Sequence, residues 1–105
     1  MFKALMLAQQ DKRTIATFTD LQETDLPDGD VTIRIDYSSL NYKDALAITG
    51  RGAIIKRWPL VPGIDLAGQV EHSTSPDWKP GDSVVVNGWG LGESHWGGMA
   101  QKARL

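Results

Sequence analysis

Val31-Thr32-Ile33-Arg34-Ile35-Asp36-Tyr37 alternates apolar and polar residues, and Ser38-Ser39-Leu40-Asn41-Tyr42-Lys43-Asp44-Ala45-Leu46-Ala47-Ile48-Thr49-Gly50 follows directly. The first stretch has a period of two, which predicts a strand with one buried and one wet face. Pro27-Asp28-Gly29-Asp30 in front of it is turn chemistry. The second stretch predicts a helix over 41–49. Asn41 can cap it, Asp44 sits three residues on, and Gly50 is a stop signal. Working outward, Lys3–Ala8 and Thr14–Phe18 read as two strands joined around Gln10-Asp11-Lys12. Ile64–Glu71 is a strand carrying Gly68, where a side chain would obstruct a neighbouring backbone or the sheet would bend. Lys79-Pro80-Gly81-Asp82 turns into the short strand Ser83–Val86. Arg51–Pro62 is a loop with two prolines. Asn87–Gly98 is a loop that holds five of the eleven glycines and two of the four tryptophans. Met99–Leu105 begins another strand. Many short strands and one short helix predict a mainly β fold with minor α. The expected architecture is a partly open β-barrel rather than a doubly wound sheet.

The bulk numbers narrow the class. A chain of 105 residues is one domain with one core. Its net charge of −2 argues against nucleic acid as a partner. It has no cysteine, so disulfides, thiolate nucleophiles and cysteine-ligated metals are excluded together. The apolar run Met1–Leu7 is ended by Gln9, Gln10 and Asp11, short of a signal-peptide core or a membrane span. A cytoplasmic protein with no membrane partner is expected.

Three stretches occur in order: Asn41-Tyr42-Lys43-Asp44, Pro59–Val70 with Pro62-Gly63-Ile64-Asp65 at its centre, and Lys79-Pro80-Gly81-Asp82-Ser83-Val84. Together they resemble the GroES-like catalytic domain of medium-chain dehydrogenases/reductases. The words Ser38–Gly50 and Gly88-Trp89-Gly90-Leu91-Gly92-Glu93-Ser94-His95-Trp96-Gly97-Gly98 resemble its zinc-free branch, the acrylyl-CoA reductases and their quinone oxidoreductase kin. The resemblance implies a GroES-like barrel over residues 1–105, followed in the full-length protein by a Rossmann domain. It implies NADPH as cofactor, held mainly by that second domain, and an acyl-CoA or quinone substrate. A homodimeric full-length protein is compatible with it. A dinucleotide site needs G-x-G-x-x-G between a strand and a helix, and neither glycine register in residues 88–95 supplies it.

Departures from the zinc-dependent branch carry information. That branch places cysteine where Asn41 stands and Gly-His-Glu where Gly63-Ile64-Asp65 stands. An amide and an aliphatic side chain replace two metal ligands, and His72 and His95 lie 23 residues apart with no third soft ligand, so no metal is expected.

With no zinc, hydrogen-bond donors must stabilise the charge that develops on a substrate carbonyl during hydride transfer. Asn41 and Tyr42, at a helix start with its partial positive charge, are suitable donors; the resemblance implies that Tyr42 borders nicotinamide and substrate. The plainer alternative makes Asn41 a cap only and Tyr42 a core aromatic. Asp65 is a candidate acid/base or an orienting acceptor, and Asp44 an active-site partner or a first-turn carboxylate. Trp89 and Trp96 are candidate substrate-side walls, with core packing as the alternative. Arg51, with Lys56 and Arg57, is a candidate phosphate contact or part of a solvated basic loop. Three functions remain open: a thioester reductase half-site, a NADPH-quinone reductase half-site, and a non-catalytic GroES-like binding module.

Overall fold

The computed structural model describes all 105 residues, Met1–Leu105. In chain order the elements are β1 (Phe2–Gln10), β2 (Arg13–Leu21), a 3-10 turn (Glu23–Asp25), β3 (Val31–Tyr37), α1 (Tyr42–Thr49), β4 (Asp65–Ser73), β5 (Ser83–Asn87) and β6 (Lys102–Arg104). Every strand pairing is antiparallel. β1 and β2 form a hairpin, and the other strands form a sheet in the order β5-β4-β3-β6. The hairpin turns on Asp11 and Lys12, both at positive φ, as a two-residue connection between right-twisted strands demands.

One segment ties the two sheets. The Leu5 N–H donates to the Met99 carbonyl and the Gln101 N–H donates to the Lys3 carbonyl, both at 2.9 Å. Residues 102–104 then pair with β3. The chain from Met99 to Arg104 therefore leaves one sheet and enters the other. A second bridge joins Leu7 to Leu60. β2 and β5 remain unpaired on their outer sides, so the barrel is partly open, as predicted.

The core has two parts. Phe2, Ala4, Leu21, Leu26 and Val61 pack under the hairpin, and Ile33, Leu66, Leu91 and Ala103 pack inside the four-stranded sheet. Burying such side chains contributes about 1.5–3 kcal/mol each for the larger ones. Beside the second cluster lies a cavity of ≈ 410 Å³, bounded by Val31, Ile33, Val84, Val86, Trp78 and Trp89.

The alternation expected of β3 holds only in its middle. Thr32, expected on the wet face, is 4% exposed, and Tyr37, expected on the buried face, is 77% exposed. The pairing with β4 shifts register between Thr32 and Ile33 and again between Ile35 and Tyr37. Each irregularity adds a residue to one strand and breaks the two-residue period. The buried Thr32 hydroxyl is satisfied by the Arg104 guanidinium, which donates to it at 3.0 Å. Lys102, next to Arg104's neighbour Ala103, makes ion pairs with Glu23 and Glu71, tying the 3-10 turn and β4 to β6. Gly68 sits where the sequence reading placed an obstruction: a Cβ there would overlap the Arg34 carbonyl.

Candidate active site

The site is built around the entry to α1. Asn41 has extended backbone angles, φ −112° and ψ 166°, and Asp44 accepts from its N–H at 2.9 Å. At the other end Gly50 takes φ 72°, its N–H donates to Ala47 and the Arg51 N–H donates to Leu46. That pair of bonds closes the helix as a Schellman motif. Both ends thus follow the sequence signals.

Asp44 does more than complement the helix N-terminus. It is 1% exposed, and its second oxygen accepts from the Ile64 N–H at 3.1 Å. One carboxylate closes the first turn and fastens the helix to the chain entering β4. A buried carboxylate satisfied by backbone N–H groups on two segments is a cross-link.

Asp65, the first residue of β4, collects donors from the segment before the helix. Its Oδ1 accepts from the Ser39 N–H at 2.9 Å and from the Ser38 hydroxyl at 3.3 Å. Its Oδ2 accepts from the Ser39 hydroxyl at 2.5 Å and from Asn41 Nδ2 at 3.3 Å. The Ser39 hydroxyl does most to hold the Asp65 carboxyl below the usual range; the Ser39 N–H, Asn41 and Ser38 add to it, against the opposing effect of desolvation. Asp65 is therefore a carboxylate at neutral pH, suited to orienting its neighbours rather than donating a proton.

Asn41 is fixed by the same acceptors. Its Nδ2 also lies 3.3 Å from Asp44 Oδ2 and 3.1 Å from the Ser39 hydroxyl. Carboxylates only accept, so the amide nitrogen must face them. The N–H groups of Asn41 are thus engaged within the protein.

Tyr42, the first helical residue, is 80% exposed. It is not a core aromatic. A groove of ≈ 210 Å³ adjoins the cluster, bounded by Tyr37, Ser38, Ser39, Asp65, Ala67 and Val85 among others. Tyr37 and Val85 both pair with Ala67, so the three form one row across β3, β4 and β5. Asp65 lies two residues before Ala67 on the same face. The polar cluster is bordered by exposed apolar side chains.

The remaining candidates lie elsewhere in the fold. Trp89 has φ 57° and is 63% exposed; it bounds the larger cavity, not the groove, and meets His95 edge-on at 5.2 Å. Trp96 donates from Nε1 to the Pro59 carbonyl at 3.0 Å and packs on the Phe2 cluster. Arg51 is exposed just past α1. None of the three hydrogen-bonds to the Asp65 cluster. Sequence reasoning gave no role to Ser38 and Ser39, although both stand in the word quoted for the resemblance. Their proximity to Asp65 depends on the fold.

The donor set does not suit zinc. Asn41 and Ile64 offer no thiolate or imidazole, and the carboxylates of Asp44 and Asp65 are taken by N–H and O–H donors. His95 Nε2 is bound to the Arg104 carbonyl at 2.7 Å, and His72 is exposed on β4. No group of three His, Cys, Asp or Glu side chains converges anywhere in the structure.

A test of the cluster follows from the Ser39–Asp65 bond. A depressed folded-state pKa means Asp65 stabilises the fold above its unfolded value, and this contribution is lost as pH falls through the folded value. Ser39→Ala removes the largest cause. Asp65 should then titrate closer to an ordinary aspartate, and the acid-side loss of stability should be smaller. A carboxyl-carbon NMR titration reads this directly; an unchanged Asp65 midpoint in Ser39→Ala would refute the assignment.

An open antiparallel barrel with a capped helix tied to one strand by buried carboxylate bonds defines a GroES-like domain. Residues 27–104 match the family described as alcohol dehydrogenase GroES-like domain, and the chain belongs to that family. It is 54% identical to an Escherichia coli K-12 protein named as a probable acrylyl-CoA reductase, AcuI, over 98% of this chain and 32% of that protein. The crystal structure of the yhdH oxidoreductase from Salmonella enterica in complex with NADP superposes with a TM-score of 0.95, at 54% identity, over 98% of this chain and 32% of the other. The structure of Bacillus subtilis yhfP with NAD bound gives a TM-score of 0.94 at 36% identity, over 99% of this chain and 32% of the other. The chain thus spans about a third of the length of these relatives. No helix is long and apolar enough to cross a membrane.

Proposed function

We propose that residues 1–105 form the substrate-side domain of a longer, cytoplasmic, NADPH-dependent oxidoreductase, and that the full-length protein reduces the carbon–carbon double bond of acrylyl-CoA. The observation that carries this reading is Tyr42: an exposed tyrosine at a helix N-terminus, next in the chain to Asn41, whose amide donates to the ionised Asp65. The likeness to proteins named as acrylyl-CoA reductases, and to the yhdH oxidoreductase crystallised with NADP, supports it.

The reaction adds a hydride at the β-carbon of the enoyl thioester and a proton at the α-carbon, oxidising NADPH to NADP⁺. Bound nicotinamide supplies the hydride. Between these additions the electron pair rests on the thioester oxygen. In our reading the Tyr42 hydroxyl donates to that oxygen, helped by the partial charge of the α1 N-terminus. Asn41 and Asp65 belong to the same site as a rigid floor: Asp65, held by Ser39, fixes Asn41, and Asn41 sets where Tyr42 leaves the backbone. Trp89 and Arg51 are proposed to bound the substrate's approach. Trp96 holds the glycine-rich loop from behind through Pro59. The dinucleotide phosphates are assigned to residues beyond this chain.

A quinone substrate is the second reading, favoured by the 36% identity to the B. subtilis relative, whose name describes a quinone oxidoreductase. The two are separated by following NADPH absorbance in the full-length protein with acrylyl-CoA or with a simple benzoquinone. We expect kcat/KM for the thioester to exceed that for the quinone by at least about tenfold, 1.4 kcal/mol of barrier. The reverse order would select the quinone reading, and no turnover of either would favour a binding module.

A further inference from the structure

The charge of this chain is unevenly placed. Residues 20–30 hold Asp20, Glu23, Asp25, Asp28 and Asp30 and no base, whereas residues 43–57 hold Lys43, Arg51, Lys56 and Arg57 against Asp44 alone. Asp44 is buried on its N–H partners and offers no compensation at the surface. The fold returns the loop that carries three of these cations to the first turn of α1. The Lys56 N–H donates to the Glu93 carbonyl at 2.8 Å, and the Glu93 carboxylate pairs with Lys43 in the first turn of α1. The loop that leaves the helix at Arg51 therefore returns along it to its start. Lys43 is matched by Glu93. Arg51, Lys56 and Arg57 are exposed and make no ion pair. α1 is about 12 Å long, with Tyr42 at its start and Arg51 just past its end.

Three unmatched cations beside a site on a chain of net negative charge make a local field for anions. Arginine suits phosphoryl oxygens in particular, because its planar fork can donate two parallel bonds. A quinone has no group for such a strip. A coenzyme A thioester has a pyrophosphate and a 3′-phosphate, set apart from its reacting carbons by the pantetheine arm. We propose that the strip Arg51–Lys56–Arg57 binds the phosphate end of a coenzyme A thioester and so selects this substrate class over phosphate-free acceptors. The inference rests on the reductase reading above. A dinucleotide cofactor carries the same phosphoryl chemistry, and the experiment separates the two sources.

The test uses the full-length protein and the variant Arg51→Gln/Arg57→Gln. Acrylyl-CoA and the acryloyl thioester of N-acetylcysteamine, which keeps the reacting group and lacks every phosphate, are compared at low and high salt. The variant is expected to lower the preference for acrylyl-CoA over the short thioester about tenfold, mostly through KM, and to flatten the salt dependence of that preference. An unchanged preference overturns the proposal. So does a rise in KM for NADPH alone, which would assign the strip to the cofactor. If the protein reduces no enoyl thioester, the reductase reading fails, and direct titration with adenosine 3′,5′-bisphosphate decides about the strip separately. Weaker binding by the variant keeps it as a phosphate site; equal binding, or none by either protein, removes it.

Discussion

Gly98→Ala is expected to destabilise the protein by about 3 kcal/mol or more, at the upper end of what overpacking costs. Two loops cross behind Asp65. The Gly97 N–H donates to the Val61 carbonyl, the Gly98 N–H to Gly63 and the Met99 N–H to Pro62, at 2.7–3.1 Å. A Cβ on Gly98 would fall on the Asp65 carbonyl oxygen and within 2.9 Å of the Ser38 hydroxyl; one on Gly97 would fall on the Gly63 carbonyl oxygen. The obstacles are mostly backbone atoms, which cannot swing aside as a side chain can. Either the crossing opens and its hydrogen bonds break, or β4 moves and Asp65 leaves Ser39. Gly88→Ala is the control. Gly88 has φ 72° but nothing within 4 Å of an added Cβ, so only the left-handed backbone is penalised, about 1–2 kcal/mol. Urea unfolding of both variants measures the difference. If Gly98→Ala costs no more than Gly88→Ala, the crossing has room for a methyl group and the close approach to Asp65 is refuted.

What the sequence disclosed depends on how far apart the interacting groups lie. The helix was legible at both ends because Asn41, Asp44 and Gly50 act within a few residues of one another. The hairpin turn and the middle of β3 are also local. The ends of β3 were not legible: the register shifts at Thr32 and before Tyr37 are set by β4, whose partners lie 30 to 40 residues on. The second bond of Asp44, to Ile64, spans 20 residues, and the bonds from Ser39 to Asp65 span 26. Composition and periodicity carry no trace of either. The placement of Trp96 likewise depends on Pro59 arriving beside it. The candidate site was legible as residue types, and the resemblance put Asn41, Tyr42 and Asp65 in one region. That Asn41 spends its N–H groups on carboxylates depends on the fold bringing Asp65 to it, and it shifts the expected donor role onto Tyr42 alone.

Tyr42→Phe keeps the ring and removes only the hydroxyl. If that hydroxyl donates to the developing charge on the thioester oxygen, the bond is stronger in the transition state than in the ground state. Loss of a single such donor costs about 2–4 kcal/mol of barrier. In the full-length protein kcat with acrylyl-CoA should therefore fall by at least about tenfold, since 1.4 kcal/mol is a factor of ten. Stability gives the second readout. A core tyrosine whose hydroxyl met the backbone would lose about 1 kcal/mol on the same substitution. Tyr42 is 80% exposed, so Tm should stay unchanged. NADPH binding, followed by fluorescence, should persist if the ring and not the hydroxyl borders the nicotinamide. A fall in kcat with unchanged Tm and retained NADPH binding is the signature of a donor to the reacting substrate. Near-normal kcat in Tyr42→Phe would reject that role, and because Asn41 is already committed to Asp44 and Asp65, the charge would then have to be met by another donor.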